Sequence, residues 1–208
     1  MNYYLNLENL DEVQENKMKR HILAIALITL FTACSKAPAL KIYTLDVPQT
    51  YSVKHSPYKT KTIKVIYPQS LREQMSQKMN FSYSINDRGT YQNSEWSNHM
   101  NKLLQGTLID VLERSRLFKA VLSDTSTLKE NYSLESNIFS FEHRVRAEQS
   151  HSVVSIQFTL IDADSGKLVK SRRFSYQEPT PSTDAKGYAL ATNVILARLS
   201  ADLLGWLR

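Results

Sequence analysis

The chain has 208 residues, 42% of them hydrophobic and 22% charged. That suits one ordinary domain with a real core and excludes wholesale disorder or two large domains. The net charge of +6 suits a surface near anionic lipid or an acidic partner but is no nucleic-acid signature by itself. The single cysteine, Cys34, excludes an internal disulfide, a thiolate metal site and a C-x-x-C redox pair.

Residues 1–17 are acidic and polar, with Glu8, Asp11, Glu12 and Glu15, unlike the start of a secreted chain. Met18, followed by Lys19 and Arg20, is the better start, so residues 1–17 read as an over-extended beginning. Lys17, Lys19 and Arg20 make a positive region, and Ile22 to Phe31 is an apolar run of about ten residues, too short to span ~30 Å of hydrocarbon. This is the layout of a secretory signal over 18–33. Phe31-Thr32-Ala33-Cys34 resembles a lipobox, with Phe31 where Leu is usual. The expectation is cleavage between Ala33 and Cys34, lipidation of Cys34, a tether over 34–40 and a domain over 41–208. Ser35 replaces the Asp that favours inner-membrane retention in enteric bacteria, which points to the outer membrane. With no second long apolar segment, the reading is an anchored protein that does not span.

Lys41–Val47 alternates and reads as a strand, and Thr60–Tyr67 as a second, closed by Pro68. Phe81–Ile85 and Thr90–Gln92 flank Asn86-Asp87-Arg88-Gly89, a hairpin connection. Ser94 reads as a helix N-cap with Glu95 in the first turn. Trp96, Met100, Leu104, Leu108 and Leu112 then recur at helical spacing as far as Ser115. Phe118–Leu122 is a short strand. Tyr132–Phe141 alternates, with Leu134, Ser136, Ile138 and Ser140 on one face. Ser152–Ile161 and Leu168–Tyr176 form a hairpin about Asp162-Ala163-Asp164-Ser165-Gly166. Asp184–Leu207 is a helix whose stripe of Tyr188, Ala191, Ile195, Leu199, Leu203 and Trp206 reads as core packing against a sheet. This order points to a layered α/β or α+β domain.

Few residues point to chemistry. His99 reads as a helix-flank residue and His55 as a loop residue. His143 and His151 sit at the ends of two strands that could pair, but no H-x-x-H or H-E-x-x-H spacing builds a metal face. The five glycines are isolated and no G-x-S-x-G elbow exists. Asp162 and Asp164 read as turn residues. Lys170 and Arg172 share a strand face, with Arg173 on the other, and a solvated face is the default. No catalytic residue, metal site or cofactor is expected, and the signal removes the chain from nucleic acid.

The pattern resembles the ABC-type transport auxiliary lipoproteins, the PqiC/YmbA-like family. The resemblance rests on Cys34 followed by Tyr43-Thr44-Leu45 and on the strand Ile63–Tyr67. It continues in Phe81-Ser82-Tyr83-Ser84-Ile85 leading through Tyr91 to Trp96, in Leu117-Phe118-Lys119-Ala120-Val121, and in the paired strands from Tyr132 through Asp164-Ser165-Gly166 to Phe174. It implies a three-layer α/β/α-type domain with a mixed sheet and two main helices, similar to the N-terminal domain of TolB. It also implies a non-enzymatic periplasmic lipoprotein that contacts an MCE-domain (MlaD-like) protein. That partner belongs to an ABC ATPase and permease complex moving phospholipid or other hydrophobic compounds, and so supports envelope integrity. Such a docking module is expected to be partner-bound or a homo-oligomer. The competing expectation is an outer-membrane assembly lipoprotein serving lipopolysaccharide delivery or a secretion pore.

Overall fold

The computed structural model describes residues 14, 17–21, 38–47, 55–70, 76–147 and 149–208. The chain divides into two compact units, Met1–Ala39 and Leu40–Arg208. In the first, residues 17–21 are helical. Ala33 and Cys34 lie outside the described residues, as do most of the expected signal and tether.

The second unit runs β1 (Lys41–Tyr43), β2 (Thr62–Val65), β3 (Gln69–Ser70), β4 (Lys78–Ser82), β5 (Arg88–Trp96), α1 (Met100–Ser115), β6 (Ala120–Ser123), β7 (Tyr132–Arg146), β8 (Gln149–Asp162), β9 (Leu168–Pro179) and α2 (Ala185–Leu207). The mixed sheet and two main helices expected from the family resemblance are what the described residues form. β7 is the spine. Along one edge it pairs antiparallel with β8, which carries β9 outside it. Its other edge is shared by three parallel strands in succession: β2 at Tyr132–Leu134, β3 at Asn137–Ile138 and β4 at His143–Arg144. β6 extends the sheet beyond β2, and β5 then β1 extend it beyond β4.

α2 packs on β8 and β9, α1 packs on β2 and β6, and the helices touch each other. The core between them includes Ile63, Val65, Trp96, Leu104, Leu112, Leu134, Ile156, Phe158, Leu160 and Tyr188, all essentially inaccessible. Each such side chain contributes roughly 1.5–3 kcal/mol of apolar burial. The other face of the central strands carries Lys64, Glu135, Gln157, Thr159, Ser171 and Arg173. By alternation these cannot share the face of Val65, Leu134, Phe158 or Leu160.

Several expectations need correction. The first helix begins at Met100, with His99 at its N-cap position, and not near Ser94. Ser94 and Trp96 belong to β5, where they pair with Lys41 and Tyr43 of β1. Trp96 fits the helical spacing but is held in the strand by the ring contacts of Phe141 and Tyr188. Ser140 does not share the face of Ile138, because an irregularity at Phe139 shifts the β7–β8 register between Ile138 and Ser140. After that bulge Phe141 and His143 face the helices, and Glu142 between them is buried on the other face. The first hairpin pairs Lys78–Ser82 with Arg88–Trp96, so Ile85 lies in the turn and not on a strand.

The second helix forms as its residues indicate. Asp184 is the N-cap, its carboxylate accepting from the Gly187 N–H at 2.8 Å and the Ser182 hydroxyl at 2.6 Å. Gly187 is required because a Cβ there would lie 2.1 Å from the Ser182 carbonyl oxygen. At the other end Lys170 Nζ donates to the Trp206 carbonyl at 2.6 Å, satisfying a terminal acceptor. α2 is long and apolar enough to cross a membrane by length and composition. In this domain its stripe of Tyr188, Ala191, Ile195, Leu199 and Leu203 is buried in the core, and Trp206 is half-buried.

Candidate functional site

The four histidines of the domain do not assemble. His55 and His99 are exposed. β7–β8 pairing sets His143 opposite Ser152 and Arg144 opposite His151, so the two strand histidines are one register step apart. Their side chains therefore leave opposite faces of the sheet. Among the described residues no group of three His, Cys, Asp or Glu side chains could hold a metal ion.

His143 instead forms a buried polar cluster with two tyrosines. Its Nδ1 lies 2.7 Å from the Tyr91 hydroxyl, and its ring stacks on Tyr188 at 5.3 Å with 3° between planes. Its Nε2 is buried with no hydrogen-bond partner. Burial pushes the His143 pKa down to about 4, the Asp184 carboxylate partly opposing and His151 reinforcing the shift. Burial likewise pushes the Tyr91 phenol up to about 12, with Asp184 and Tyr83 adding to it. Both groups are held neutral at pH 7. Ring contacts continue outward from Tyr91 to Phe81 and from Phe81 to Tyr83, each at 5.2 Å. The aromatic hairpin singled out in the sequence is thus braced on the core through His143.

The opposite face at this end holds a charged cleft. Glu142 is only 3% exposed, and its carboxylate receives Arg144 Nε at 2.7 Å and faces Arg88 Nη2 at 3.7 Å. The adjoining cleft, of about 280 Å³, is lined by Lys78, Asn80, Phe81, Arg88, Thr90 and Glu142. Two arginines share the Glu142 carboxylate, and Lys78 adds a further positive charge to the cleft wall. Sequence reasoning missed this cluster, although Glu142, Arg144 and Arg146 alternate with Phe141, His143 and Val145.

The remaining candidates have structural roles. Asp162 accepts from the Ser165 N–H at 2.8 Å and its hydroxyl at 2.7 Å, closing the β8–β9 turn. Asp164 pairs with Lys129 at 2.8 Å. Arg172 lies over Phe174, whereas Arg173 lies 3.8 Å from the Phe139 ring centroid and bonds Ser155, so the alternation read from the sequence holds. Lys170 is the departure from a solvated face, since it caps α2.

A curated relative, the uncharacterized protein bll6063 of Bradyrhizobium diazoefficiens, is 25% identical over 82% of this chain and 46% of its own length. The chain thus spans about half the length of the curated relative it matches. The crystal structure of XCC0632 from Xanthomonas campestris superposes with a TM-score of 0.71 at 21% identity, covering 80% of this chain and 94% of that one. A second solved structure, of an uncharacterized protein, gives 0.64 at 14% identity, covering 82% of this chain and 100% of the other. Both similarities are of fold. The family model for the ABC-type transport auxiliary lipoprotein component matches residues 43–203, and this chain belongs to that family.

Proposed function

We propose that the protein is a lipid-anchored, periplasmic accessory subunit of an ABC transport system that moves phospholipid or other hydrophobic compounds. In this reading the signal over 18–33 is cleaved before Cys34, which carries the lipid, and the outer membrane is the anchoring membrane. The domain acts by docking and not by catalysis, and its partner is the MCE-domain (MlaD-like) protein of the transport complex. The observation that carries the reading is the family match over 43–203, a few residues after a basic and apolar stretch that runs into Ala33-Cys34. The neutral, enclosed His143 and the turn-bound Asp162 accord with a docking role, since neither is placed to act on a substrate.

Purification of the tagged protein in mild detergent tests the proposal. An MCE-domain protein and its ATPase and permease should co-purify, and a deletion strain should be sensitive to detergents. Recovery of β-barrel assembly or lipopolysaccharide-delivery proteins in their place would refute it.

A further inference from the structure

Exposed apolar side chains stand at both ends of the sheet, as well as at Leu40 and Ile42 along the β1 edge and at Leu190 and Val194 on α2. β7, 15 residues long, runs about 45 Å from Tyr132 to Arg146. At its starting end stand Leu128, in the loop before β7, and Leu168, at the start of β9, each 64% exposed. At its finishing end, where Ser82 pairs with Arg144, stands the β4–β5 turn with Tyr83 at 52% and Ile85 at 83% exposure. Composition does not choose between these ends, but chain direction does.

β1 is parallel to β5, with Lys41 opposite Ser94, so the chain enters β1 from the side on which β5 begins. β5 begins at Arg88, immediately after the turn that holds Ile85. Leu40 is therefore about five residues, or roughly 17 Å, short of that turn. The six links from Cys34 to Leu40 reach at most about 20 Å. A lipid on Cys34 can then enter a bilayer only when the surface lies near the turn or along the β1 flank. The turn is built to meet a surface. The Tyr83 and Ser84 N–H groups both donate to the Asp87 carbonyl, Asn86 N–H donates to the Ser84 hydroxyl, and Tyr83 is braced on Phe81. Ile85 is presented at the tip of this hydrogen-bonded loop, followed in the chain by the exposed Asn86, Asp87 and Arg88. An apolar tip beside polar and charged residues suits insertion as far as the headgroup boundary, with tyrosine at the interface.

Building on the proposed lipidation of Cys34, we infer that the β4–β5 turn is a second membrane contact. Ile85 and Tyr83 dip into the headgroup region and hold the sheet end-on to the bilayer. The lipid thioether occupies the sulfur of Cys34, so an Ile85→Cys chain carries one free thiol. The test uses this full lipidated chain, labelled there with a polarity-sensitive fluorophore, on phosphatidylethanolamine–phosphatidylglycerol vesicles. Leu128→Cys and Val194→Cys chains serve as comparisons, all three positions being exposed. The Ile85 label should shift to the blue, escape iodide and be quenched by spin-labelled lipid, while the Leu128 and Val194 labels stay in water. A Val194 label that enters instead places α2 on the membrane and overturns the inference. So does an Ile85 label shielded only when the transport complex is added. A chain that floats with vesicles while Ile85 stays in water overturns this inference alone. A wild-type chain that does not float overturns the Cys34 reading and this inference with it.

Discussion

His143 is a histidine that the fold keeps uncharged. Its ring stacks on Tyr188, its Nδ1 meets the Tyr91 hydroxyl, and its other nitrogen has no partner. Protonation would bury a cation with one hydrogen-bonding neighbour, and the folded pKa accordingly falls from 6.5 to about 4. The unfolded chain binds a proton near pH 6.5 and the folded chain does not until about pH 4. Stability is therefore full above pH 6.5 and is lost as pH drops through that window, by up to about 3 kcal/mol. Urea denaturation at pH 7.5 and pH 4.5 measures this loss. His143→Phe keeps a ring against Tyr188 and should flatten the dependence, whereas an unchanged slope in that variant would assign it to other groups. The same stretch shows what a sequence can reveal at this scale. Alternation in Phe-Glu-His-Arg-Val-Arg was visible, but the burial of Glu142 was not, because it depends on Arg88 arriving from a strand 54 residues earlier.

At the level of elements, legibility followed whether local signals agreed with the tertiary environment. α2 was readable because its cap, its apolar stripe and its packing partner all indicate the same helix. Asp184→Ala should cost about 1 kcal/mol through loss of the acceptor for Gly187. Thermal unfolding should show a lower midpoint, with Asp184→Asn restoring most of it; an unchanged midpoint would mean that the Ser182–Gly187 packing alone fixes the start. The beginning of α1 was misread because Trp96 satisfies two patterns. It sits at helical spacing from Met100, and it also ends a strand whose hydrogen bonds run to β1 and β4. Non-local pairing outweighed local propensity. The two-residue β3 and the bulge at Phe139 left no local signal either. β3 exists only as a pairing with β7, and the bulge only as a register shift against β8, so both depend on partners distant in sequence.

For the whole molecule, the sheet has a direction, and with Cys34 lipidated as proposed a short tether would convert direction into orientation. The chain enters β1 from the side of the β4–β5 turn, and the six links from Cys34 to Leu40 leave little slack. If the lipid only confined the domain to a membrane, tether length would not matter. If end-on contact positions the domain for a transport partner, slack should be harmful even though the fold and the lipid are untouched. Inserting about 20 Gly/Ser residues between Ser35 and Leu40 raises the extended reach from about 20 Å to about 85 Å. The purified domain should melt at the wild-type temperature, since the insertion lies outside the sheet and helices, and the chain should still float with vesicles. Cells carrying it should nevertheless approach the detergent sensitivity of the deletion strain, because the docking surface is no longer held at a fixed height and its effective concentration at the partner drops. Wild-type resistance with the long tether would show that a lipid at any distance suffices, and that orientation comes from the partner alone.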